Sequence, residues 1–238
     1  MQDFSKYKVF AQDVLDATFN DIELLVTAFT HRSYLNEHRK TVKEHNERLE
    51  FLGDAVLELV VTEYLYTSYA EPEGILTNWR SALVRTESIG AAANEFNFEP
   101  LLRLSRGEKR GTDRARAQIL ANTYEAVVGA LYLDQGYEAV RAFIDKSLLT
   151  TLPGILKSGS WMDAKSHLQE LAQSAEASTP VYKVLEEDGP DHDKMFTIGV
   201  FVSGKLRGKG SGPSKQAGQQ QAAEQALAYY KNIKQVTD

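Results

Sequence analysis

Apolar residues recur at helical spacing through the first 150 positions of the chain. The period predicts helices over 5–17, 21–29, 46–68, 77–95, 117–133 and 136–148. In 46–68 the apolar set is Leu49, Phe51, Leu52, Ala55, Val56, Leu59 and Val60, so most of that helix should be buried. The run 118–133 is again apolar with a helical period. No strand alternation interrupts this region, which predicts an all-α domain over residues 1–152. The pattern then changes. Pro153, Gly154, Ser158, Gly159 and Ser160 punctuate the chain and predict a short flexible linker, 153–162. Beyond it, Asp163 gives a start signal for a helix reaching Glu176. Residues 181–185 alternate as a strand, 195–202 form a second, apolar strand, and 206–209 a short third joined through Ser203-Gly204. A last helix runs over 214–231. The order α-β-β-β-α makes 163–233 a small α+β domain, so the chain is multidomain.

Three acids change the picture of the 46–68 helix. Glu47, Glu50 and Asp54 stand at i, i+3 and i+7, within roughly 60° of one another on a helix. A row of carboxylates on a mostly buried helix is costly unless something positive sits among them. No run of Lys or Arg lies nearby, so a hard divalent cation is the natural partner. The competing reading is a solvated face, where like charges cost only about 0.2–0.5 kcal/mol per pair. Glu58, one turn beyond Asp54, reads as the solvated end of the stripe. A matching half-site stands on the 117–133 helix, where Asn122 and Glu125 are i and i+3 on one side. Two facing helices that each supply oxygen ligands can build a metal site inside a bundle, and Mg2+ suits it.

Composition narrows the chemistry. The chain has 238 residues, 42% of them hydrophobic, and no cysteine. Disulfides, thiolate zinc sites and thiol nucleophiles are excluded. The first residues lack an apolar core, so no signal peptide is expected, and no run of about 18 apolar residues predicts a membrane span. A cytoplasmic setting suits such a chain. Net charge is −6, yet its distribution is uneven. Between Asp193 and Glu224 there is no acid, while Lys194, Lys205, Arg207, Lys209 and Lys215 are basic. A second basic run holds Arg103, Arg106, Lys109, Arg110, Arg114 and Arg116. Local patches steer polyanions even on an acidic protein. His31, His38 and His45 are seven apart, but 36–41 reads as a polar loop, so they are not expected to share a helix or a zinc ion.

The run 45–54, His-Asn-Glu-Arg-Leu-Glu-Phe-Leu-Gly-Asp, resembles the signature of the ribonuclease III family. Thr30-His31-Arg32-Ser33 resembles the family's upstream motif, and 119–134 its second acidic helix. The C-terminal part resembles a double-stranded RNA-binding domain, so the likeness spans nearly the whole chain. It implies an all-α ribonuclease III endonuclease domain followed by that binding domain. It also implies acidic metal-site roles for Glu50, Asp54, Asn122 and Glu125, with Asp54 and Glu125 tied most closely to cleavage. Glu47 matches a signature acid with substrate or structural roles, and Glu73 a further acid near the substrate. Asn122 departs from the pattern, because the family commonly has aspartate there. An amide oxygen brings no charge, so a greater need for Mg2+ is expected.

For the small domain the resemblance implies RNA contacts from Gln169 and Glu170 on the first helix and from His192 in the loop at 189–192. Lys209 and Lys215 complete the set, Lys215 at the start of the last helix. The family tends to carry two or three basic residues there; this chain has Lys215 followed by Gln216, Ala217 and Gly218, so modest affinity is expected. Gly208–Gly212 reads as a strand-to-helix turn. The implied activity is Mg2+-dependent hydrolysis of double-stranded RNA, with Mn2+ able to substitute, leaving 5′-phosphate and 3′-hydroxyl ends. The implied substrates are rRNA and mRNA precursors, with no membrane partner and no small-molecule cofactor. Cutting both strands calls for a homodimer, with Phe51 as candidate anchor; the alternative for Phe51 is intrachain core. Two other readings remain open: a catalytically weak or inactive structural RNA binder, and an unrelated acid-pair enzyme such as a glycosidase.

Overall fold

A computed structural model describes residues 3–159, 161–190 and 194–237. The chain divides into two compact units, Met1–Ser158 and Gly159–Asp238.

The first unit is all helical among its described residues. Its helices are α1 (Ser5–Asp13), α2 (Ile22–Ala28), α3 (Arg32–Glu37), α4 (Glu47–Ser68), α5 (Glu73–Val84), α6 (Thr86–Glu95), α7 (Asp113–Gln135), α8 (Tyr137–Ser147) and α9 (Leu152–Ser158). Helix α7 is the axis of the unit. Thr112 caps its start by accepting from the Ala115 N–H, and Gly136, at φ 81°, ends it. Between Ile119 and Leu131 nearly every side chain is buried, as expected of a helix apolar on all sides. Helices α2, α4, α6 and α8 pack around it. An aromatic cluster fills the core: Phe10 lies 5.2 Å from Phe29 and 5.1 Å from Phe98, and Tyr124 lies 5.3 Å from Phe143.

Local periodicity missed three features. The single helix expected over 77–95 is two, starting earlier at Glu73 and broken at Arg85, whose ψ of 151° is extended. The break lets both apolar faces reach the core, Trp79, Ala82 and Leu83 from α5 and Ile89, Ala92 and Ala93 from α6. Helix α3 runs into the loop expected over 36–41; it is six residues long, and the His31 ring caps it by accepting from the Ser33 N–H. The segment expected as a flexible linker is helical through Ser158, with Pro153 in the first turn of α9, where its missing N–H costs nothing.

The second unit holds α10 (Ala164–Glu176), β1 (Val181–Asp188), β2 (Met195–Val202), β3 (Lys205–Gly212) and α11 (Lys215–Thr237). The strands form one antiparallel sheet in the order β1-β2-β3. Ser203 and Gly204, both at positive φ, make the two-residue turn between β2 and β3. Leu168, Ile198, Val200, Ala222, Ala223, Ala226 and Tyr230 form the core between the two helices and one sheet face. Here one expectation is corrected. Gly208, Gly210 and Gly212 belong to β3, not to a turn. Alternating along the strand, all three face α11. A Cβ at any of them would strike Gly218, Ala222 or their neighbours, so the bare strand is what admits the helix.

Among the described residues no helix is long and apolar enough to cross a membrane.

Candidate active site and nucleic-acid interface

Helices α4 and α7 meet at two glycines. A Cβ on Gly53 would collide with the Glu125 carbonyl and the Gly129 N–H, and one on Gly129 with the Leu49 carbonyl. Backbone therefore touches backbone where the two acidic segments lie. Glu50 and Asp54 flank Gly53 on α4, and Asn122 and Glu125 precede Gly129 on α7.

This close approach brings the acids into one electrostatic cluster. Burial pushes the Glu125 carboxyl up to about 7, and the Asp54 and Glu50 charges add to the rise. Glu50 is raised as well, first by burial and then by Glu47, while a hydrogen bond from Asn122 opposes the rise. Asp54 itself is exposed. The charges bearing on Glu125 are thus both negative, in a half-buried place. The donors are all hard oxygens, the set that Mg2+ or Mn2+ takes. Among the described residues no three His, Asp or Glu side chains close a metal shell by themselves. Such a cation would take its remaining ligands from water, an amide or substrate oxygen, as Mg2+ commonly does.

The other expected acids sit at the edge of this cluster or away from it. Glu47 is at its rim, exposed, 3.6 Å from Arg32 and 3.9 Å from His45. Glu58 pairs with Arg80 at 3.0 Å, consistent with its reading as the end of the stripe. Glu73 is exposed in the first turn of α5. It lines a groove of about 850 Å³ with Thr62, Leu65, Tyr66 and Arg80, toward the far end of α4 from Asp54. Within one chain Glu73 is therefore not part of the Asp54–Glu125 cluster. Phe51 is 83% exposed, which removes the intrachain-core reading. Leu59, 57% exposed, and Ala55 also face out, so α4 is less buried than its composition suggested.

The 30–33 motif is scaffolding for this site. The Thr30 carbonyl accepts from the Asn46 N–H at 2.9 Å, just before α4 begins. Ser33 Oγ accepts from the Ser105 N–H at 3.1 Å, and Arg103 donates to Thr30 Oγ1 at 3.1 Å. Sequence reading missed Gln118, whose amide donates to Asn122 Oδ1 at 2.7 Å. Its spacing, one turn before Asn122, was the available signal.

In the second unit, Asp163 caps α10 by accepting from the Lys165 and Ser166 N–H groups. Gln169 and Glu170 are exposed on that helix. Gln169 lines a groove of about 720 Å³ together with Ser166, Ser214 and Gln216, so it shares a face with the start of α11. Lys215 opens α11, 3.3 Å from Glu187, which also pairs with Lys194 at 3.6 Å. Lys209 is elsewhere. It pairs with Gly199 in the sheet, on the face that carries Leu185 and Leu206, away from both helices. Arg207 is not free for a polyanion either: it pairs with Glu176 at 2.7 Å and donates to Tyr229 Oη at 2.6 Å. His192 lies outside the described residues.

A helical unit with carboxylates gathered across two touching helices, followed by an α-β-β-β-α unit, defines a nuclease domain joined to a double-stranded RNA-binding module. Residues 21–152 match the ribonuclease-III-like family, and 164–230 the double-stranded RNA binding motif. The chain is 43% identical over 236 residues to ribonuclease 3 of Anoxybacillus flavithermus, covering 98% of this chain and 97% of the relative. It is 45% identical over 210 residues to ribonuclease 3 of Enterococcus faecalis, covering 88% and 91%. Among solved structures it resembles the nuclease domain of ribonuclease III from Campylobacter jejuni, described for structural flexibility in a region involved in dimer formation. That match has TM-score 0.54 and 34% identity, covering 60% of this chain and 97% of the other. The chain belongs to the ribonuclease III family and is an endonuclease of that class.

Proposed function

We propose that this chain hydrolyses double-stranded RNA with a divalent cation, Mg2+ or in its place Mn2+, leaving 5′-phosphate and 3′-hydroxyl ends. Its proposed setting is the cytoplasm, in the processing of rRNA and mRNA precursors. The observation that carries the reading is the contact at Gly53 and Gly129, which gathers Glu50, Asp54 and Glu125 from two helices. Asp54 and Glu125 hold the cation, with Glu50 completing the acidic wall. When bound, the ion supplies positive charge and Lewis acidity at the scissile phosphate. No side chain serves as nucleophile. Gln169, Glu170 and His192 meet 2′-hydroxyls and base edges in the minor grooves. Lys215 and the N–H groups at the start of α11 meet phosphate between them. Lys209, facing the other side of the sheet, contributes long-range attraction only.

The active form is a homodimer. Phe51, Leu59 and Tyr66 are exposed along α4, at offsets that keep them within about 80° of one another. Such a row is self-complementary about a two-fold axis near Leu59. That axis sets Phe51 of one protomer opposite the groove beside Tyr66 on its partner. The same pairing carries Glu73 toward the partner's acidic cluster, where one chain alone does not place it. The test is digestion of a long RNA duplex with Mg2+, using Asp54→Asn and Glu125→Gln as controls. Shortening of the duplex that both substitutions abolish supports the reading. Intact duplex with the unaltered chain, or cutting that survives EDTA, sinks it.

A further inference from the structure

Helices α10 and α11 are tied by side-chain hydrogen bonds toward both ends. Near their starts, Lys165 Nζ donates to Gln219 Oε1 at 2.8 Å. At the far end, Tyr230 Oη donates to Glu176 Oε1 at 2.5 Å. Residue 165 faces 219 and 176 faces 230, so the two helices run the same way with their starts together. The near tie sits among the expected RNA contacts. Gln169 is one turn on from Lys165, and Gln219 is one turn on from Lys215, so the bond joins the turns that carry the two contacts. Lys165 and Tyr182 line the same groove as Gln169, Ser214 and Gln216. The Lys165 ammonium also lies 5.4 Å from the centroid of the Tyr182 ring. Lys165 and Gln219 are both half-buried. This cation is therefore engaged across the helix pair, unlike Lys215, which is exposed.

Duplex RNA demands a fixed span. In an A-form helix a minor groove and the phosphates across the next major groove lie at a set separation, so one body must present both contacts at that separation. Two contacts on one ligand reinforce each other only where geometry lets both engage. We propose that the Lys165–Gln219 bond is a strap that sets the span between Gln169 and Lys215, so that both reach one duplex at once. Lys165 is then a positioning residue and not a phosphate ligand. The strap rests on the RNA-contact reading of Gln169 and Lys215 above.

The test measures binding of an RNA duplex of about 20 base pairs, longer than the roughly 16 that one such domain spans. The full-length chain is titrated by fluorescence anisotropy over a salt series in EDTA, so that binding is read without metal-dependent cutting. Gln219→Met removes the acceptor, changes no charge and keeps a good helix former. It is expected to weaken binding about five-fold, within what one hydrogen bond contributes. Lys165→Met is expected to do the same with the same salt slope, and the two together to cost no more than either alone. In a Lys215→Ala chain, Gln219→Met is expected to be silent, because the strap acts by bringing Lys215 to its phosphate. Tyr230→Phe breaks the far tie and is expected to lower the unfolding temperature while leaving RNA affinity unchanged. Unchanged or tighter binding by Gln219→Met overturns the strap; tighter binding would mean that the bond withholds Lys165 from phosphate. A larger loss for Lys165→Met than for Gln219→Met, with a shallower salt slope, makes Lys165 a phosphate ligand and overturns it too. An undiminished Gln219 effect in the Lys215→Ala chain, or an equal loss in Tyr230→Phe, reduces the bond to general support of the fold. If Lys215→Ala binds as tightly as the unaltered chain, the contact reading itself fails, and that control tells the two failures apart.

Discussion

Glu125 combines burial with two acidic neighbours, and its proton is therefore coupled to folding. Its carboxyl ionises near 4.5 in an unfolded chain and at about 7 in the folded one. A raised acid favours the folded state while it keeps its proton. That stability is fully present below about 4.5 and is lost as pH rises through about 7. The metal-free chain is thus expected to melt at lower temperature at pH 7.5 than at pH 5, and Glu125→Gln to flatten that slope. Added Mg2+ should restore the melting temperature at pH 7.5 in the unaltered chain and not in the variant. Equal pH slopes for the two chains in thermal unfolding would remove this account. Glu187 offers a second test at this scale. It pairs with both Lys194 and Lys215 where phosphate is proposed to bind. Glu187→Gln is expected to tighten duplex-RNA binding a few-fold in gel-shift assays at low salt, with the gain fading at high salt. The spacing of Glu47, Glu50 and Asp54 was legible in the sequence because a helix fixes which positions share a face. The separate fates of these acids were not. Glu47 pairs with Arg32 and Glu58 with Arg80, and those partners come from other helices.

At the scale of elements, the glycine contact between α4 and α7 decides whether the site exists. Gly in a helix interior normally costs about 1 kcal/mol relative to Ala, so propensity alone makes Gly53→Ala stabilising. The Cβ would meet the Glu125 carbonyl, and overpacking of this kind costs about 1–3 kcal/mol or more. Packing should win. Gly53→Ala is expected to be destabilising in urea unfolding, and to weaken Mn2+ binding by moving the α7 acids off α4. A stabilised variant would show that the helices do not touch here. The pattern identified α4 and α7 by their helical period, α10 by the start signal at Asp163 and β2 as a short apolar run. It failed at α5–α6, where apolar residues continue through the bend at Arg85. It failed again at Gly208–Gly212, since glycine has low strand propensity and the reason for it is a neighbouring helix.

At the scale of the whole molecule, the exposed row on α4 predicts association. Phe51→Asp is expected to shift sedimentation from dimer to monomer at micromolar concentration. Since Phe51 is 83% exposed in the monomer, its fold should survive. Buried aromatic anchors contribute about 2 kcal/mol or more to an interface, so a large shift is expected. The variant is also expected to lose coordinated cutting of both strands. A dimer undisturbed by this change would assign Phe51 another purpose.

By itself the sequence determined a helical unit and an α-β-β-β-α unit, an acid row on one helix face, and a chain without thiol chemistry. These follow from period, composition and spacing, which are properties of single elements. Only the tertiary structure decided that Glu125 stands beside Asp54 and Glu50, that Glu73 lies apart from them, that Phe51 faces out, and that Lys209 faces away from Lys215. Periodicity sets the direction a side chain takes from its own helix or strand. What it meets there depends on which distant segment packs alongside, and here that was settled by glycines that let one backbone reach another.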